Sequence, residues 1–378
     1  MRTRAIILCL ALGLSLPVVV LGGKREVAPP QRIRVLILKG VATFRLYVKG
    51  GYEIEGLEKG DVLSRGRGMN TSVRAANSGI KIGKDYLGKN IVIWPKSGHL
   101  FINNRPYRGA LIIRRVGARL RLINYIRRED YVKGVLFHEV SDLWPQEALK
   151  AQAIATRTYA LYQAGVRKDK DYDLTADTYS QVYGGRDSER YRTNRAVDLT
   201  RGMVLTYRGK IFPAYFHATC GGATQDARRL WKINLRPLRG VRCDFCLRSP
   251  HYSWKKDFGL REIALALNKA GYDIMGLKGI RGVGRDRSGR VRRLVLITGK
   301  GKKYISANDF RRILGSKKIR STRFEVMVKN GRAYFDGRGW GHGVGLCQWG
   351  AYFMARQGYR YPVILRFYYP RSSIEPVN

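Results

Sequence analysis

The sequence predicts an α+β protein, with a β-rich N-terminal part over residues 32–126 followed by a region of mixed helix and sheet over 127–378. Three observations carry this. Residues 32–126 break into short runs rich in β-branched side chains, separated by glycine and asparagine. Residues 145–163 are almost all helix formers and open on Pro145, whose missing N–H is tolerated in a first turn. Beyond them, apolar runs of strand length and helix length alternate, with no internal repeat and no low-complexity segment.

Taken in order, Met1-Arg2-Thr3-Arg4 is basic, Ala5 to Leu21 is apolar, and Gly22-Gly23 supplies small residues before Lys24-Arg25. That is the layout of a signal peptide over 1–23, or of a membrane anchor if it stays uncleaved. An apolar run of 17 residues containing Pro17 is short for a stable span, which favours the signal. Cys9 follows Leu8 where a lipoprotein signal wants a small residue, which argues against lipidation. Residues 24–31, with Pro29-Pro30, read as a linker.

Strands are expected at Ile33 to Leu38, Ala42 to Val48, Asn90 to Trp94, Gly109 to Ile113 and Leu120 to Ile123, with turns at Gly50-Gly51, Gly60-Asp61 and Asn103-Asn104. Tyr131 to Val140 is an apolar and aromatic segment leading to the helix at Pro145. Along that helix Lys150, Ile154, Arg157 and Leu161 follow i, i+4, i+7, i+11 spacing, so Lys150 and Arg157 share a face. A second helix is expected within Ser188 to Arg201, then a hairpin of Met203 to Tyr207 and Ile211 to Phe216 around Gly209. Helices at Leu260 to Ala270 and Ala307 to Leu314, the latter stopped by Gly315, alternate with strands near 279–283, 290–298, 323–328 and 333–336.

A chain of 378 residues with 44% hydrophobic residues can build a sizeable core, and its net charge of +44 is spread over every segment. Such a surface attracts polyanions: nucleic acid, anionic lipid or the acidic polymers of a bacterial wall. Export through the N-terminal segment makes intracellular nucleic acid an unsuitable partner, and no nucleic-acid recognition motif is present.

Four segments narrow the choice. Tyr131 to Ala160 contains Glu139, Trp144-Pro145, Glu147-Ala148-Leu149-Lys150-Ala151-Gln152-Ala153 and Arg157-Thr158-Tyr159-Ala160. Gln181-Val182-Tyr183-Gly184 follows, then His217-Ala218-Thr219-Cys220-Gly221-Gly222-Ala223-Thr224. The last is Gly337-Arg338-Gly339-Trp340-Gly341-His342-Gly343-Val344-Gly345-Leu346-Cys347-Gln348-Trp349-Gly350-Ala351, with Tyr368-Tyr369-Pro370 at the end. This set closely resembles the SpoIID/LytB family of peptidoglycan lytic transglycosylases and related cell-wall proteins. Two departures stand out: Val140-Ser141 replaces the usual Met-Pro after the glutamate, and Cys347 stands where serine is common.

The resemblance implies an exported enzyme, on the periplasmic or wall side of the membrane, that cuts N-acetylmuramic acid from N-acetylglucosamine in glycan strands stripped of stem peptides. Glycoside cleavage ordinarily takes two carboxylates. The signature offers one in an apolar setting, Glu139, and one suffices if the sugar's own C6 hydroxyl attacks to give a 1,6-anhydro product. No cofactor is required for that chemistry. Lys150, Arg157, Tyr183, Trp340, His342 and Gln348 are the candidate substrate contacts. The alternative is a wall-binding protein without cleavage that enhances a partner amidase, as the LytB branch implies.

His217-x2-Cys220 and Cys243-x2-Cys246 have the spacing of a four-ligand, structural zinc site. A disulfide between two of the three cysteines, natural in an exported chain, and free thiols stay open as rivals. His251 is a substitute ligand, and Cys347 is too isolated in sequence to place.

Overall fold

The computed structural model describes residues 30–77, 79–177 and 180–377, so the expected signal segment 1–23 and most of the linker lie outside the described residues. The N-terminal part is one sheet of ten consecutive strands: β1 (Arg32–Val41), β2 (Thr43–Gly56), β3 (Val62–Ala76), β4 (Gly79–Ile82), β5 (Asp85–Leu87), β6 (Asn90–Pro95), β7 (His99–Ile102), β8 (Arg105–Arg108), β9 (Ala110–Val116) and β10 (Arg119–Arg127). An eleventh, β11 (Leu174–Thr175), joins β1 in parallel; the other pairings are antiparallel.

All five expected strands are present, and the Asn103-Asn104 turn joins β7 to β8 with φ of 47° and 65°. Gly50-Gly51 is not a turn. β2 runs through it with a bulge between Val48 and Gly51, Gly50 taking φ +84°. β3 escapes the pattern because only Met69 and Val73 of its 15 residues are buried, leaving no run of apolar residues to read.

Tyr131 to Glu139, expected as an apolar lead-in, is itself helical: α1 spans Arg128–Glu139. It is followed by α2 (Gln146–Val166) and, after an extended loop, α3 (Tyr191–Leu199). α2 lies between two cores. Leu149, Ala153, Ala160, Leu161 and Ala164 pack toward the N-terminal sheet and α1, while Ala151, Ile154 and Ala155 pack toward the C-terminal half. Its alanines let both layers approach closely, and they also make it a strong helix former. α1 is drawn against the following loop at Gly134, where a Cβ would come within 2.4 Å of the Tyr183 ring.

The second core is built on β12 (Met203–Tyr207), which pairs with β13 (Lys210–Ile211) and the terminal β22 (Ser373–Pro376). The expected hairpin is therefore cut short: Pro213 has no N–H to give a ladder, and the chain moves on to β14 (Phe216–His217). β14 pairs in parallel with β21 (Leu346–Cys347). Three helices complete this layer, α4 (Arg228–Trp231), α7 (Gln348–Arg356) and α8 (Tyr361–Tyr368).

Between them residues 253–338 form a unit with its own core around Phe258, Leu294, Leu296, Phe310 and Phe335. It contains β15 (Ser253–Gly259), α5 (Leu260–Lys269), the hairpin strands β16 (Gly279–Arg285), β17 (Val291–Thr298) and β18 (Gly301–Ser306), then α6 (Ala307–Leu314), β19 (Phe324–Lys329) and β20 (Arg332–Arg338). α6 fits its expected bounds because Ser306 caps its N-terminus, accepting from the Asp309 N–H at 2.9 Å, and Gly315 ends it at φ +96°.

Candidate functional site

A cleft of about 530 Å³ opens where α1, α4 and the loops before β14 and β21 meet. Glu139, the last residue of α1, lines it together with His138, Tyr159, Gln181, Tyr215, Trp231 and His342. The chain leaves α1 in extended form at Val140 and turns back at Trp144, whose ring packs on Trp349 and Tyr352 with centroids 5.1 Å away in each case. That aromatic contact draws the start of α7 toward the end of α1, so Gln348 faces Glu139. The two helices come from sequence segments about two hundred residues apart, and only the packing joins them.

Burial raises the Glu139 carboxyl from its ordinary value of 4.5 to about 7, outweighing the Gln348 side chain and the Val182 backbone N–H, which favour the charged form. Gln348 is buried beside that carboxyl, and among the described residues its Nε2 closes no hydrogen bond of ordinary geometry, which leaves the amide available to the Glu139 oxygens. Among the described residues lining the cleft, Glu139 is the one carboxylate.

His342 is braced on both sides. Its Nε2–H donates to the Phe216 carbonyl at 2.9 Å, and Nδ1 accepts from the Val344 N–H at 3.0 Å. This pattern needs the neutral ring. Burial pushes its pKa down to about 3, with Arg311 and Arg290 adding to the effect against the Phe216 bond. His342 therefore contributes a wall, edge-on to Trp231 with centroids 5.2 Å apart, and no proton at neutral pH. Trp231 lies 4.3 Å from Tyr215, ring to ring, and is 40% exposed. Aromatic faces of this kind suit the apolar face of a sugar ring.

Of the sequence candidates, Glu139 and His342 line the cleft and Gln348 is buried behind Glu139. The other four sit elsewhere. Arg157 is fully buried and forks onto Glu129, its Nη2 2.6 Å from Oε2, while donating to the Met203 and Val197 carbonyls. Lys150 pairs with Glu147 at 2.7 Å, and Glu147 also accepts the Tyr361 N–H at the start of α8. Both cations hold α2 to its neighbours and do not line the cleft. Tyr183 is buried, stacks on Tyr131 and donates its hydroxyl to Asn124 Oδ1 at 2.7 Å. Trp340 pairs its backbone with Thr219 and packs edge-on against His251, with Arg320 over its ring.

Trp231, Tyr215 and Tyr159 were not among the sequence candidates. Tyr159 stands inside the first signature, and so was in view. Trp231 carries no motif, and a single aromatic residue between charges reads as an ordinary surface position.

The cysteines converge differently from the expected set. The sulfurs of Cys220, Cys243, Cys246 and Cys347 all lie within 4.8 Å of one another, buried and without a disulfide. His217 stands apart: its Nδ1 faces the Val344 carbonyl at 3.1 Å and its Nε2 has no partner among the described residues. Parallel pairing of β14 with β21 is what brings Cys347 to the group, with the Cys220 N–H donating to its Sγ at 3.2 Å. His251 is likewise outside the group.

Residues 117–207 match the family described as Stage II sporulation protein (SpoIID), and residues 244–345 match a domain of unknown function, DUF8618. The chain is 32% identical to an uncharacterized protein of Brachyspira hyodysenteriae, over 92% of this chain and 93% of the relative. It is 32% identical to the stage II sporulation protein D of Bacillus amyloliquefaciens, over 68% of this chain and 76% of that protein. It is 26% identical to the amidase enhancer of Bacillus subtilis, over 64% of this chain and 40% of that protein. With the Glu139 signature, the Gly339–Gly350 loop and these similarities together, the chain belongs to the SpoIID/LytB family of stage II sporulation protein D-like proteins.

Proposed function

We propose that the protein is an exported lytic transglycosylase that cleaves between N-acetylmuramic acid and N-acetylglucosamine in peptidoglycan strands freed of stem peptides. The observation that carries this reading is Glu139: a carboxyl group held near a pKa of about 7 in an aromatic cleft with no second carboxylate among the described lining residues. An acid of that pKa is substantially protonated at neutral pH and can give its proton to the glycosidic oxygen. As the bond from C1 of muramic acid to that oxygen breaks, the muramic C6 hydroxyl attacks C1 and passes its proton to the Glu139 carboxylate. The acid is regenerated, a 1,6-anhydro ring is formed, and no water is consumed. Holding the hydroxyl and C1 in one frame supplies on the order of 7–11 kcal/mol of the barrier. In this reading the Gln348 amide supports the carboxylate while it bears charge, and Trp231 and Tyr215 stack a sugar ring.

The net charge of +44 supports a polyanionic substrate, because removing the peptide leaves a lactyl carboxylate on each muramic acid. The similarity to an amidase enhancer supports a second reading, a wall-binding protein that stimulates a peptidoglycan amidase without cutting. Purified protein and stripped glycan strands separate the two. The enzyme releases anhydro-muramyl fragments detectable by mass spectrometry, and Glu139→Gln binds the strands but releases none. Release by that variant at the wild-type rate would overturn the assignment of Glu139, and absence of release by wild type would favour the enhancer.

A further inference from the structure

We infer that Cys220, Cys243, Cys246 and Cys347 form a tetrathiolate site for one zinc ion, which staples the start of α7 to the loops flanking the 253–338 unit. The geometry fits a single ion. Zinc–sulfur bonds of about 2.3 Å directed to a tetrahedron set the sulfurs about 3.8 Å apart. Here all four sulfurs lie within 4.8 Å of one another, with Cys220 and Cys246 3.4 Å apart. That spacing leaves no room for a cluster of several metals. Four protein ligands would also leave no open position, so the ion would be structural.

The surroundings are those of thiolates. The Cys220 N–H and the Gly350 N–H both donate to Cys347 Sγ, at 3.2 and 3.4 Å, and the Tyr368 hydroxyl lies 3.1 Å from Cys243 Sγ. Such donors orient sulfur ligands and spread their charge.

A second, independent observation is Arg290. Its guanidinium is fully buried, donates to the Cys220 and Ala223 carbonyls and to Ser288 Oγ, and closes no salt bridge among the described residues. The nearest carboxylate, Asp286, accepts from the Arg290 backbone N–H and from Ser288 Oγ and makes no direct bond to the guanidinium, so this buried cation is stabilised further by negative charge on its Cys220 side. Four thiolates around a divalent ion carry a net charge of about −2, and Arg290 beside Cys220 is where that charge would be balanced.

Cys347 is also the N-cap of α7, and the next residue is Gln348. The ion would thereby hold Gln348 against Glu139, a consequence that rests on the functional reading of Glu139, whereas the metal assignment does not.

The test begins with the purified full-length chain. Elemental mass spectrometry should find one zinc per chain, released when a mercurial titrates the thiols. Replacing it by cobalt should give the charge-transfer and ligand-field bands of tetrahedral thiolate coordination, a readout on the native sequence that needs no variant to fold. Cys347→Ser should lose zinc and melt at lower temperature, and His217→Ala should keep it. The proposal is overturned by a metal-free chain whose cysteines prove disulfide-bonded or uniformly free, or by zinc that survives Cys347→Ser and is lost in His217→Ala. Loss of glycan cleavage in Glu139→Gln is unaffected by either result, so the two readings fail separately.

Discussion

Replacing Glu139 by glutamine should make the protein more stable at alkaline pH while abolishing cleavage. The reasoning is a proton balance. The folded state raises the carboxyl pKa from 4.5 to about 7, so between those values the folded chain binds a proton that the unfolded chain has given up. Stability of the wild type therefore falls as pH rises through that window, and the loss is complete once the folded carboxyl has also ionised. A tenfold step in proton affinity is about 1.4 kcal/mol, so the penalty amounts to about 3 kcal/mol. Glutamine has nearly the same shape, can still accept the Val182 N–H, and never ionises. Urea unfolding of both chains from about pH 4 to about pH 9 should show near-equal stability at the acid end and a glutamine advantage of about 3 kcal/mol at the alkaline end. A difference that is flat with pH would refute the argument, because the carboxyl would then sit at its ordinary value. A wild type that is the more stable at high pH would point instead to a cation paired with the carboxylate.

Three further outcomes follow from the contacts. In the Glu139→Gln background, where strands bind without turnover, Trp231→Ala should weaken binding of stripped glycan roughly fivefold by calorimetry, the stacking of a sugar ring being worth about 1 kcal/mol. Its thermal midpoint should barely move, since the ring is 40% exposed. Arg157→Ala should lower unfolding stability by about 3–5 kcal/mol, because Glu129 is left buried with Arg128 at 3.3 Å and the long Gly202 N–H bond at 3.4 Å in place of the bidentate guanidinium, and the affinity of the folded fraction for glycan should be unchanged. Gly134→Ala should destabilise by about 1–3 kcal/mol in the same assay, since the new methyl meets the Tyr183 ring, and this outweighs the better helix propensity of alanine.

Much of the site is legible in the sequence, and particular residues show why the rest is not. Glu139, His342 and Gln348 lie in motifs of unusual residue types, so each could be singled out although they come from separate segments. Lys150 and Arg157 share a helix face as their spacing requires, but periodicity cannot say that α2 is sandwiched between two cores and that Tyr159, not either cation, is the residue it turns to the cleft. Tyr183 and Trp340 belong to equally distinctive motifs and turn out to brace the backbone, which residue type alone does not reveal. Cys347 looked isolated because its partner segment is set by the register of two two-residue strands, β14 and β21, and such pairings leave almost no trace in a hydrophobic pattern. The same limit applies to the fold. The longer apolar strands β1, β2, β6, β9 and β10 are legible, whereas β3, with arginine, glycine and serine on an exposed face, and the three- and four-residue strands β4, β5, β7 and β8 are not.

The unit spanning 253–338 enters on β15 and leaves on β20, and these strands run side by side from Ser253 opposite Arg338 to Gly259 opposite Arg332. Its two points of attachment are therefore neighbours, about 5 Å apart, as any paired strands are. A domain tethered at adjoining points behaves like a cartridge: changes in its length or packing leave the distance between the two ends it hangs from, and so the spacing of Glu139, His342 and Gln348 in the host framework, unaltered.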